Sequence, residues 1–127
     1  MRHHFKNLQV WQISMTFIKK VYEASVSLPE IEKFGLIQQM RRSAVSVASN
    51  IAEGTGRSTD KDFVNFLHIS LGSTYEIETQ ILLCDQLNYF SKETVEILLK
   101  EVSDIQKMLI GLINSIKSKL QTPNSNV

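Results

Sequence analysis

The chain has 127 residues, 43% of them hydrophobic, and a formal net charge of +1. That length supports one domain with its own core, and two prolines and five glycines are too few for a disordered chain. A near-neutral balance argues against a dedicated nucleic-acid binder, and no apolar run approaches the roughly 20 residues that span a bilayer.

The first predicted helix runs from about Val10 to Ser27. Trp11, Met15, Ile18 and Tyr22 recur at helical spacing, with Val10, Ile13, Phe17 and Val21 beside them, so the apolar arc is wide. Phe5 and Leu8 precede it and are placed to fold back as a hydrophobic lid. Pro29 separates it from a second helix, expected from about Phe34 to Glu53 and closed by Gly54 in the left-handed conformation.

The third helix, about 60–87, takes Ser58 or Thr59 as its N-cap, with Asp60 and Asp62 where the helix dipole favours acids. It carries two stripes. Phe63, Phe66, Leu67, Ser70, Thr74, Ile77 and Ile81 form one, and Val64, Leu71, Tyr75 and Leu82 form the other. Two stripes predict two neighbours. The fourth helix, about 92–120, starts after Ser91. Val95, Leu98, Val102, Ile105, Leu109, Leu112 and Ile116 step by 3 and 4, the spacing of bundles packed near +20°. The polar tail, 121–127, is expected to fray.

No alternating pattern suggests a sheet. Four helices with short connections predict a single all-α domain over 1–127, an antiparallel up-down-up-down four-helix bundle.

The second helix holds the most distinctive segment. Leu36, Ile37, Met40, Ala44, Val47, Ala48 and Ile51 fill one arc; Gln39, Arg42, Ser46, Ser49, Asn50, Glu53 and Arg57 fill the other. A solvated face is richer in Lys and Glu and poorer in Ser and Asn, so this stripe is built to meet another helix or a ligand. Ala44, Ala48 and Ala52 recur at every fourth position, and Ser70, Gly72, Ser73 and Thr74 repeat the theme on helix three. A helical glycine costs about 1 kcal/mol against alanine, so Gly72 marks a tight contact or a kink. Such small residues serve close packing either within one subunit or between subunits.

Charge is unevenly spread. Residues 1–57 hold eight Lys/Arg against four Asp/Glu, and residues 58–127 hold six against nine. Two oppositely charged halves packing together explain this, as does one basic side of the molecule. Arg41 falls inside the apolar arc of helix two and must snorkel outward or meet a carboxylate. Glu76 or Glu78 would complete an ion pair; a cluster of Arg41, Arg42 and Arg57 would instead bind an anion.

No catalytic constellation emerges, and no cofactor or metal is implied. His3, His4 and His68 lack partners at metal-ligand spacing, and Glu76 and Glu78, two apart, cannot face one way. Glu53, Arg57 and Glu76 are the best residual candidates for an ionisable pocket. Cys84 beside Ile77 and Ile81 reads as an inert core thiol. Gly54-Thr55-Gly56-Arg57 lacks the strand and the lysine of a phosphate loop. A lone cysteine permits no internal disulfide, and Met1-Arg2-His3-His4 does not open a signal peptide. Both favour the cytoplasm, with no membrane association.

The residues also carry a resemblance. Phe5-x-x-Leu8-x-Val10-Trp11, Phe34-Gly35-Leu36-x-x-Gln39-x-Arg41-Arg42-Ser43-Ala44, Ser49-Asn50-Ile51-Ala52-Glu53-Gly54-x-Gly56-Arg57 and Gly72-Ser73-x-x-Glu76-x-Glu78-Thr79 resemble the bacterial four-helix-bundle family called the ribosomal RNA intervening-sequence proteins. The accessory protein of diversity-generating retroelements is similar in fold. The resemblance implies a non-enzymatic bundle that assembles as a homopentameric barrel, with RNA or a nucleic-acid-processing protein as a further partner. A protein-interaction scaffold without nucleic-acid binding is the alternative. Lys6, Lys19, Lys20, Arg42 and Arg57 are the cations available to phosphates. Arg41, Ser46, Ser49, Asn50, Glu53, Glu76 and Glu78 are the candidates for oligomer or intrabundle polar contacts.

Overall fold

The computed structural model describes residues 4–120. Among them stand four long helices and no strand: α1 Gln9–Ser25, α2 Leu36–Thr55, α3 Asp60–Gln86 and α4 Lys92–Leu120. The expected fraying of 121–127 lies outside the described residues.

Each helix touches its two neighbours in a ring α1-α2-α3-α4, with the α2–α3 pair the most extensive. Contacts run in opposite directions along adjacent helices. Ser43 meets Gln80 while Ser46 meets Ser73, and Ser27 meets Tyr89 while Lys20 meets Glu101. The helices are therefore antiparallel neighbours, as short connections require.

Local signals place most boundaries. Thr59 caps α3 by accepting from the Asp62 amide at 3.1 Å, and Ser91 caps α4 by accepting from the Thr94 amide at 3.1 Å. A short 3-10 turn, Phe5–Asn7, brings Phe5 edge-on to Trp11 with ring centroids 5.1 Å apart, forming the lid.

Three local expectations are corrected. Gly54 does not close α2 in the left-handed region; it lies inside the helix, and no glycine among the described residues has positive φ. Its role is steric. A Cβ there would stand 2.8 Å from the Phe63 ring and 3.0 Å from the Phe66 Cβ, so only glycine lets the start of α3 lie against α2. The left-handed cap falls instead at Asn88, φ 61°, after α3. There the Tyr89 amide donates to the Cys84 carbonyl and the Asn88 amide to the Asp85 carbonyl, which closes a Schellman motif. Gly72 makes no tight contact: an added Cβ would meet nothing within 4 Å, and α3 is continuous through it.

The core uses a slightly different line from the predicted one. On α1 it is Val10, Ser14, Phe17, Val21 and Ser25 that are buried, while Met15 and Tyr22 remain 46% and 41% exposed. On α4, Ile113 replaces Leu112, because Ile113 lies five full turns of 3.6 residues from Val95 whereas Leu112 is rotated away.

These two glycines give opposed expectations. Gly54→Ala should destabilise the fold by about 1–3 kcal/mol despite alanine's better helix propensity, because the added methyl overpacks against Phe63 and Phe66. Gly72→Ala should instead stabilise it by up to about 1 kcal/mol. Urea unfolding followed by circular dichroism measures both.

Candidate functional site

The polar stripe of α2 meets α3 within the same chain. The Ser43 hydroxyl donates to Gln80 Oε1 at 2.7 Å, and Ser70 donates to the Val47 carbonyl at 2.7 Å, all in buried surroundings. The Ser46 and Ser73 hydroxyls lie 2.8 Å apart, and Asn50 Nδ2 donates to the Ser46 carbonyl and hydroxyl at 2.9 Å. Ala44 is buried too, and Ala48 is buried on the side facing α1. The serines bring α2 and α3 together, so much of this lining is used inside the subunit. Ser49 and Glu53 remain exposed, and Ala52 is half-buried.

The candidate cations do not converge. Among the described residues Arg41 meets no carboxylate. Its Nε donates to the Ser25 hydroxyl at 2.9 Å and its Nη2 to the Tyr22 carbonyl at 3.3 Å, and the guanidinium lies 4.6 Å from the Tyr22 ring centroid. A carbonyl in the last turn of α1, which also accepts from the Ser25 hydroxyl, is its partner rather than an acid. Arg42 pairs loosely with Glu76 at 3.8 Å in exposed positions. Arg57 pairs with Glu53 at 3.9 Å and lies 5.1 Å from the Phe66 ring centroid. Thirteen residues of α2 separate Arg42 from its end at Thr55, about 20 Å at 1.5 Å per residue. The Arg41-Arg42-Arg57 anion cluster is therefore not assembled, and neither is a pocket of Glu53, Arg57 and Glu76. Lys20 is engaged by Glu101 across the α1–α4 contact, whereas Lys6 and Lys19 are exposed. Glu78 accepts from Gln106 Nε2 at 2.8 Å and ties α3 to α4.

Among the described residues no group of three or more His, Cys, Asp or Glu could hold a metal ion, and no helix is long and apolar enough to cross a membrane. His68 is exposed. Cys84 is fully buried, and its thiol lies 3.6 Å from Met40 Sδ. Burial, with a smaller contribution from Glu32, pushes its pKa up to about 11. A neutral buried thiol is a poor nucleophile.

Two features escaped the sequence reading. The face of α1 carrying Trp11, Met15 and Ile18 forms, with Phe5 and with Val45, Ala48, Ser49 and Ala52 of α2, a shallow apolar groove of about 330 Å³. Val45 also borders a larger cleft of about 610 Å³, lined by Tyr22, Lys33, Phe34, Ile37, Gln38, Arg41 and Arg42. Phe34 is 81% exposed there. An aromatic at a helix start reads as core from hydropathy alone; the adjacent Lys33 and the arginine pair about two turns further on were the available signal.

Antiparallel helices in a closed ring, with apolar side chains left on the outside, define a small four-helix-bundle protein. The chain belongs to the 23S rRNA-intervening sequence protein family, whose model matches residues 6–111. It is similar to a crystal structure of a protein of unknown function of the S23 ribosomal protein family from Bacteroides thetaiotaomicron. That likeness has 29% identity and a TM-score of 0.74, over 82% of this chain and 97% of the other. No curated protein sequence matches significantly.

The raised Cys84 pKa has a consequence for alkaline stability. Its folded value lies above the ordinary 9.0, so its contribution is complete below pH 9 and is lost as pH rises toward 11. Wild-type protein should lose about 2 kcal/mol more than Cys84→Ala across that window. Denaturant unfolding of both proteins at pH 8 and pH 11 measures the difference.

Proposed function

We propose that this chain is a non-enzymatic, homo-oligomeric helical-bundle protein, pentameric in assembly, that serves as an RNA- or nucleoprotein-associated interaction module. The observation that carries the reading is the set of large apolar side chains outside the completed bundle. Met15 and Tyr22 are exposed on α1, and Ile69, Tyr75, Leu82 and Leu83 on α3. Large apolar side chains left in solvent on two helices are available for association with further subunits. In the second predicted stripe of α3, Val64 is buried, whereas Tyr75 and Leu82 remain 49% and 43% exposed.

Charge supports the same reading. The N-terminal half, which forms α1 and α2, carries the positive excess, and the half forming α3 and α4 carries the negative one. Surfaces of opposite sign on different sides of one subunit favour head-to-tail contact. Such contact closes into a ring when the rotation allows. The RNA association rests on the family description, which names the intervening sequence of 23S rRNA, and on Lys6, Lys19 and Arg42 as exposed cations. A protein-interaction scaffold without nucleic-acid binding is the second reading, favoured by the net charge of only +1.

Light scattering at micromolar concentration should return a mass several times 14.5 kDa, five-fold for the pentamer; a monomer would end the assembly proposal. Fluorescence anisotropy against structured RNA separates the two functional readings. Binding at low salt that weakens steeply at high salt is expected for the first, since each neutralised phosphate releases counterions. Absence of binding even at low salt leaves the scaffold.

A further inference from the structure

The cleft between the C-terminal end of α1 and the first turns of α2 combines an exposed aromatic ring with several cations. It holds an almost fully exposed aromatic ring, Phe34, beside the cations Lys33, Arg41 and Arg42, and no carboxylate lines it. Its volume of about 610 Å³ falls within the range of small-ligand sites. The nearest acid of the connecting segment, Glu32, is turned away: one carboxylate oxygen accepts from the Leu36 amide at 3.2 Å and the other from the Tyr89 hydroxyl at 3.0 Å.

The charges are arranged relative to the ring. Lys33 Nζ stands over the Phe34 ring, 5.5 Å from its centroid, so one face already carries an ammonium and a stacked base takes the opposite face or displaces it. Arg41 is already fixed by Ser25 and Tyr22 and supplies a positive charge at no further ordering cost. Arg42, 68% exposed in its side chain, has among the described residues a long contact to Glu76 to exchange. A flat apolar ring surrounded by cations is complementary to a planar base carrying a phosphate. A base paired in a helix has its faces covered by its neighbours, so the ring can receive only an unstacked one.

We infer that this cleft binds an unpaired nucleotide of an RNA strand, with the base stacked on Phe34 and the adjoining phosphates met by Lys33 and Arg42. The inference rests on the RNA-associated reading and gives it a location, distinct from Lys6, Lys19 and Arg57.

The full chain should be titrated into a fluorescein-labelled single-stranded RNA of about ten nucleotides, at several salt concentrations. Phe34→Ala, at a position too exposed to disturb the core, should weaken binding about tenfold while leaving the salt dependence unchanged. Arg42→Gln should weaken it and reduce the slope of log K against log salt by about 0.7, one phosphate contact on a single strand. Lys107→Gln, an exposed cation on α4, should behave as wild type. Unlabelled single strand should displace the probe better than the same sequence as a duplex, a nucleoside monophosphate or polyglutamate. Wild-type binding that Phe34→Ala leaves intact would overturn the cleft alone and spare the RNA reading. Equal displacement by duplex, by the mononucleotide or by polyglutamate would overturn the unpaired strand as its occupant. No binding by wild type at any salt would overturn both the cleft and the RNA reading.

Discussion

The close approach of α2 to α3 is the constraint on which the rest of the structure depends. Buried hydroxyls and an amide line that contact, and each is satisfied across it or by its own helix: Ser43 with Gln80, Ser70 with the Val47 carbonyl, Ser46 with Ser73. Burying such groups unpaired would cost about 1–3 kcal/mol apiece, so the register of the two helices is specified by chemistry as well as by shape. At one end, Gly54 admits Phe63 and Phe66, where a side chain of any size would hold the helices apart. Among the described residues no buried side-chain nitrogen or oxygen lacks a partner. A contact so specified fixes where every other helix can lie.

The consequence for the surface follows from geometry. With Ser43, Ser46 and Gly54 of α2 turned to α3, the wide apolar arc of α1 has only part of its width covered. Val10, Phe17 and Val21 enter the core, and Met15 and Tyr22, about a third of a turn round, do not. The same holds on α3, where Phe63, Leu67, Ile77 and Ile81 are buried but Tyr75 and Leu82 are outside. The unused apolar surface is therefore a by-product of how tightly the internal pair is made. It consists of large side chains rather than the alanines and serines that first drew attention.

Helix number, type and most boundaries were legible because periodicity and caps are local. Thr59, Ser91 and the positions of Val95 to Ile105 needed no tertiary knowledge. The errors came where a local signal had two physical uses. Glycine serves both left-handed caps and close approach, and at Gly54 approach wins, while Asn88 takes the cap. Serine reads as surface, yet Ser14 is buried because it returns its hydroxyl to the Val10 carbonyl at 2.7 Å one turn back. The candidate site was less legible still. Arg41 demanded a partner, and charge alone nominated a carboxylate; a carbonyl at the end of α1 is invisible until the helices are placed.

That substitution of partners ties the fold to the cleft. The last turn of α1 leaves carbonyls without intrahelical donors, and the Tyr22 carbonyl accepts from both Ser25 and Arg41. The negative end of the α1 dipole thereby holds a cation, which stabilises the α1–α2 contact and leaves the guanidinium over the Tyr22 ring at the cleft wall. Arg41 therefore works for stability and for the electrostatic character of the surface at once. Phe34 contributes nothing comparable to the core, being almost wholly in solvent. Exposure of that ring beside Lys33 gives the cleft its chemical character, an apolar face among cations.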